Sequence, residues 1–127
     1  MAMRSPKEMK MHETIIRSLA GIYDQKNAHQ VLTNLDKQEA VMKGVTVDLI
    51  VKNPITLIFK VETDTSVTEG EAIAWKGIYD QLGTFFLMVP EPLKAEANRI
   101  LQKVGLKSVR LCYYKIADNK LKFINLP

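Results

Sequence analysis

Residues 45–62, VTVDLIVKNPITLIFKVE, constrain the fold more than any other part of the chain. Val45, Val47, Leu49 and Val51 alternate with Thr46, Asp48, Ile50 and Lys52. Beyond Asn53-Pro54, Ile55, Leu57, Phe59 and Val61 alternate with Thr56, Ile58, Lys60 and Glu62. Two period-two runs broken by a turn dipeptide predict a β-hairpin. Its register decides which polar groups meet. A two-residue loop sets Asp48 opposite Phe59, whereas a three-residue loop sets Asp48 opposite Lys60 and Thr46 opposite Glu62. Packing the Val/Leu/Phe side as one core demands the second arrangement, so Asp48, Lys60 and Glu62 are expected to share a face.

The flanking segments supply helices and further strands. Ser5-Pro6-Lys7-Glu8 reads as a capping box, with Glu8 reaching back to Ser5. It opens a helix whose apolar stripe runs through Met9, Ile16, Leu19 and Tyr23, widened by Ile15 and Ile22. Residues 28–35, AHQVLTNL, read either as a strand or as the start of a second helix through Ala40; Val31 and Thr33 favour the strand. DKQEAVMKG is expected to be a connection. Thr68-Glu69-Gly70-Glu71 is a second capping signature, ahead of Ala72, Trp75, Tyr79 and Leu82 at helical spacing, with Gly83 as the stop. The continuous apolar run at 84–89 reads as a strand covered on both faces. Pro90-Glu91-Pro92 begins a third helix, ended by Gly105, and strands at 108–116 and 121–125 flank an Asp118-Asn119 turn. The predicted order is α-β-β-β-α-β-α-β-β, a mixed α/β sheet flanked by helices, with some parallel pairing through crossovers.

At 127 residues the chain is read as one domain, 1–127. Its 46% hydrophobic and 25% charged residues are ordinary globular composition. No apolar run approaches the ~20 residues that span a bilayer, and the N-terminal residues lack a signal-peptide core. Cys112 is the only cysteine, which rules out an internal disulfide and suits a reducing, cytoplasmic setting; it is expected to be a buried structural thiol. The net charge of +4 permits a polyanionic partner without requiring one. His12 and His29 have no Cys or His partner at ligand spacing, so zinc is not expected.

Clustered carboxylates beside a lysine suit metal-dependent phosphodiester hydrolysis. The acids hold Mg²⁺, the metal activates a water, and the lysine stabilises developing charge. In order of elements and in these residues, the chain resembles the restriction-endonuclease-like, or PD-(D/E)xK, nuclease superfamily. The common core of that family is a helix, a three-strand meander, a helix and a fourth strand, within a three-layer arrangement. Asp48 in VTVDLIV matches the family's Asp on the second strand, and Lys60-Val61-Glu62 in LIFKVETD falls at its acid-x-Lys triplet. The resemblance implies a Mg-dependent DNA endonuclease with Asp48, Glu62 and Lys60 in the site. Lys76 is an alternative position for the catalytic lysine, and Glu13 of the first helix a third metal ligand beside Asp48 and Glu62. It also implies DNA as partner and a homodimer reaching both strands.

The triplet departs from the family in its charges: Lys60 stands at the acid position and Glu62 at the lysine position. Three readings of Asp48, Lys60 and Glu62 therefore stay open. They are a working site, a decayed site in which Lys60 neutralises the acids and the domain serves nucleic-acid binding or assembly, or a solvated salt-bridged face. Asp64 reads as a strand-end residue, Trp75 and Tyr79 as core, and Lys94, Arg99 and Lys103 as a solvated face.

Overall fold

The computed structural model describes residues 4–26, 28, 30–35, 39–53 and 55–127. The Pro54 part of the hairpin break, Asn27, His29 and residues 36–38 lie outside them. Among the described residues the chain forms a mixed α/β structure: helix α1 (Pro6–Gln25), strands β1 (Gln30–Thr33), β2 (Val41–Met42), β3 (Val45–Thr46), β4 (Leu49–Asn53) and β5 (Ile55–Val61), helix α2 (Ala72–Leu82), β6 (Phe86–Pro90), a 3₁₀ turn Glu91–Leu93, α3 (Lys94–Lys103), β7 (Arg110–Ala117) and β8 (Lys120–Ile124). Six strands make one sheet in the order β1-β4-β5-β6-β7-β8, and β2 and β3 make a separate two-stranded ribbon. β5, β6 and β7 are mutually parallel through the α2 and α3 crossovers; the remaining neighbours in the large sheet are antiparallel.

Both faces of the sheet are covered. Ile15, Ile16, Leu19 and Tyr23 of α1 pack with Leu49, Val51, Phe59 and Val61 on one side. Trp75 and Ile78 of α2 and Ala97, Ile100 and Leu101 of α3 pack with Ile50, Ile58, Leu87 and Val89 on the other. The predicted order of elements needs correcting. The stretch read as a connection holds β2, which pairs with Val45–Thr46 around Lys43 and Gly44, both at positive φ. Thr46 therefore faces Val41, not Glu62.

The hairpin itself keeps the register of a three-residue connection, with Lys52 paired to Thr56 and Leu49 to Phe59. One step beyond, the Asp48 N–H donates to Phe59 O, so Asp48 and Leu49 both face Phe59. This is a β-bulge, and one extra residue flips the faces that follow. Val45 and Val47 consequently join the α2/α3 core while Leu49 and Val51 join the α1 core. The four do not line one face, as strict alternation predicts.

Candidate functional site

The bulge and the end of β5 bring together three of the residues singled out in the sequence. Asp48 and Glu62 are buried, 4% and 0% exposed, so they are no part of a solvated polar face. Lys60 lies between them, its Nζ 3.5 Å from Asp48 Oδ2 and 3.5 Å from Glu62 Oε2. Asp48 Oδ2 also accepts the Val61 N–H at 2.6 Å, which fixes the carboxylate across the bulge. Asp48 Oδ1 points toward His12, whose Nε2 is 3.3 Å away, near enough for attraction but not aligned as a hydrogen bond.

Glu62 has every acceptor position engaged. Its Oε1 accepts from the Arg4 guanidinium at 3.0 Å and from Ser66 Oγ at 2.7 Å; its Oε2 accepts from the Trp75 indole at 2.7 Å. The backbone is held equally firmly, since Glu62 N–H donates to Met88 O and Tyr114 OH donates to Glu62 O. Such saturation is what a buried carboxylate needs to offset its desolvation.

The segment after β5 is tied to α1. Arg4 reaches Thr63 Oγ1 and Val61 O in addition to Glu62. Glu8 accepts from the Thr63 and Thr65 hydroxyls and from the Thr65 N–H. Half of the predicted capping box is thus present: Ser5 Oγ accepts the Glu8 N–H, but the Glu8 carboxylate goes to the loop, where three donors outweigh the single backbone N–H of Ser5. At α2, Thr68 Oγ1 accepts the Glu71 N–H, and the helix begins one residue later.

The environment moves the two carboxyls in opposite directions. Burial works to raise Asp48, but the Lys60 ammonium, His12 and the Val61 N–H together outweigh it and hold this carboxyl below its ordinary range. Burial raises Glu62, and the opposing Lys60, Trp75 and Ser66 do not cancel it. Burial works to lower Lys60, but Asp48 and Glu62 override it, so the ammonium is held more strongly than usual. Two clefts flank the cluster. One of about 370 Å³ is lined by Arg4, His12, Glu13 and Asn34. The other, about 540 Å³, has Lys60 and Glu71 among its walls together with Thr46 and Gly77.

The other expected site residues lie elsewhere. Glu13 is half exposed and pairs with Arg17 at 2.7 Å, on the rim of the first cleft. Lys76 is exposed on α2 and pairs with Asp80 at 3.7 Å. Asp64 is an exposed turn residue. Cys112 is buried, and burial pushes its thiol up to about 12, consistent with an inert structural role. Arg4, Glu8, His12 and Ser66 were not anticipated as parts of the cluster, and Trp75 was expected only as core. His12 carried a readable signal: it lies three, four and seven residues before Ile15, Ile16 and Leu19, on the buried stripe of α1, whereas Met9 is 61% exposed.

A divalent cation needs free carboxylate oxygens pointing at one place. Here the oxygens of Asp48 and Glu62 that converge do so on Lys60 Nζ, and the rest of Glu62 is taken by Arg4, Ser66 and Trp75. Among the described residues, no three His, Cys, Asp or Glu side chains gather as a metal-holding group. The arrangement in hand does not fit Mg²⁺. No described helix is long and apolar enough to cross a membrane. No family model, no curated protein and no solved structure matches the chain.

Proposed function

We propose that the chain is a nuclease-like domain of the restriction-endonuclease type in which Lys60 stands in for the divalent cation, and that it acts as a nucleic-acid-binding module, not as a Mg-dependent hydrolase. The carrying observation is the position of one ammonium, 3.5 Å from each of two buried carboxylates. An ammonium there supplies the charge balance a cation would supply. It also repels an incoming ion: two unit charges at ~4 Å cost about 4 kcal/mol at an effective dielectric of 20, and a divalent ion about twice that. The resemblance in strand positions, with Asp48 preceding the β5 triplet, supports the nuclease-type ancestry of the cluster.

The test is thermal denaturation with and without Mg²⁺ or Mn²⁺, for wild type and Lys60→Glu. The wild type is expected to show no metal-dependent rise in Tm, and Lys60→Glu to gain one. A rise in wild type, or none in the variant, overturns the reading.

The resemblance itself carries a second reading, Mg-dependent hydrolysis of DNA with Asp48 and Glu62 as ligands and Lys60 as the positive partner, which requires Lys60 to leave its place between the two carboxylates. Plasmid nicking by wild type with Mg²⁺, lost in Asp48→Ala, would establish it over the first.

A further inference from the structure

The exposed cations on the α2/α3 side of the sheet fall into two kinds. Two of the three on α3 are matched: Arg99 hydrogen-bonds to Glu96 and lies 3.3 Å from Glu69, and Lys103 is 2.8 Å from Glu69. Four other lysines, Lys94, Lys115, Lys120 and Lys122, have no carboxylate partner among the described residues.

Strand register puts these four together. Lys115 is paired directly with Lys122, and Ala117 with Lys120. Leu121 and Phe123 pack into the α1-side core, so the alternate residues Lys120 and Lys122 point to the opposite side, and Lys115 with its partner. Tyr113 belongs to the α2/α3 side as well, and Lys94 Nζ lies 5.8 Å from the centre of its ring. The acids near them in sequence, Asp118 in the β7–β8 turn and Glu91 and Glu96 on either side of Lys94, form no ion pair with any of the four; Glu96 pairs with Arg99 instead.

Like charges directly opposite on a ladder are destabilising, so a Lys115–Lys122 pair has a cost that folding alone gives no reason to bear. Protection of an edge strand accounts for lysines on β8, the edge of the sheet. It does not account for Lys115, which is on the interior strand β7, or for Lys94, which comes from a helix.

We infer that this face, Lys94, Lys115, Lys120 and Lys122 around Tyr113, docks the phosphate backbone of duplex nucleic acid, apart from the buried Asp48–Lys60–Glu62 cluster. The inference rests on the reading of the chain as a nucleic-acid-binding module and assigns the surface that does the binding. Phosphate is the fitting ligand because the face offers ammonium point charges, and the one arginine of its two strands, Arg110, alternates to the α1 side with Cys112 and Tyr114, which leaves no arginine, asparagine or glutamine of β7 or β8 on this face to read base edges.

The test measures binding of a 20-base-pair duplex across a salt series for wild type, for Lys115→Gln/Lys120→Gln/Lys122→Gln, and for Arg99→Gln/Lys103→Gln as a control. Each lost phosphate contact lowers the slope of log K against log salt by about 0.9, so the triple variant is expected to lose nearly three units of slope and roughly 10²–10³-fold in affinity at 0.1 M salt. The control, whose cations are already matched by Glu69 and Glu96, is expected to change little. An unchanged triple variant on a binding wild type overturns this surface alone. An equal loss in the control reduces the effect to net charge and overturns it too. Wild type binding polyglutamate as tightly as the duplex overturns nucleic acid as the occupant. A wild type that binds no duplex overturns both this inference and the reading beneath it.

Discussion

Trp75 Nε1 donates to Glu62 Oε2 at 2.7 Å, joining α2 to the end of β5 inside the core. Replacing the indole by phenyl keeps most of the apolar volume and removes the donor to a buried carboxylate. Trp75→Phe is expected to lower unfolding free energy by about 1.5–3 kcal/mol, the range for a hydrogen bond to a charged group. Urea denaturation followed by circular dichroism is the measurement, since Trp75 is the only tryptophan and its fluorescence disappears with it. A loss under about 0.5 kcal/mol would show that the bond is not needed to satisfy Glu62.

Removing the ammonium should cost more than removing the whole ionic set. Lys60→Met leaves two buried carboxylates facing each other and is expected to destabilise by about 3–5 kcal/mol. Lys60→Met combined with Asp48→Asn and Glu62→Gln is expected to recover most of that loss. Additive losses in the triple variant would contradict the coupling of the three.

The shifted groups set the limits of stability against pH. The folded-state value of Asp48 lies below its ordinary 3.8, so its contribution is complete above that value and is lost as pH falls through the folded one. Glu62 works in the opposite sense: its folded value is raised above 4.5, so it favours the fold below 4.5 and that advantage fades as pH rises through the folded value. Lys60 is raised above 10.5, so its contribution is complete below 10.5 and is lost at more alkaline pH. Chemical denaturation across pH should show Asp48→Asn flattening the limb below 3.8 and Lys60→Met flattening the limb above 10.5. Limbs unaltered by these variants would assign the pH dependence to other groups.

Arg4 fastens the loop after β5 to the start of α1 through Glu62, Thr63 and Val61. Arg4→Ala is expected to speed amide hydrogen exchange at Thr63 and Ser66, whose N–H groups close the local turn, by at least tenfold, and to leave exchange in β7 nearly unchanged. Equal acceleration in β7 would mean global loss of stability in place of a local opening.

Much of this architecture was legible in the residues. The alternation of 45–52 and 55–62 located β4 and β5, Gly83 marked the end of α2, and the demand to pack the Val/Leu/Phe side as one core led to the three-residue register. What the pattern missed has a physical cause. Period-two reading assumes an unbroken ladder, so it could not see Asp48 and Leu49 both facing Phe59. The Lys43-Gly44 turn belongs to a ribbon of two-residue strands, too short for any period to register. Asp48, Lys60 and Glu62 could be grouped because they lie on neighbouring strands. Arg4 and Ser66 join them from 58 positions before Glu62 and four after it, through contacts that only the packing of α1 on the sheet creates.

The ionic cluster also bears on how β4 and β5 find each other. A slip of two residues between these strands preserves the alternation of inside and outside, so the apolar side chains discriminate weakly against it. The charges are not indifferent. A two-residue slip carries Lys60 away from Asp48 and leaves an ammonium and a carboxylate enclosed without each other. The bulge contact between Asp48 Oδ2 and the Val61 N–H is likewise available in one alignment alone. Whatever partner the domain serves, Asp48 and Lys60 act as a key for strand assembly, rejecting a misalignment that hydrophobicity would tolerate.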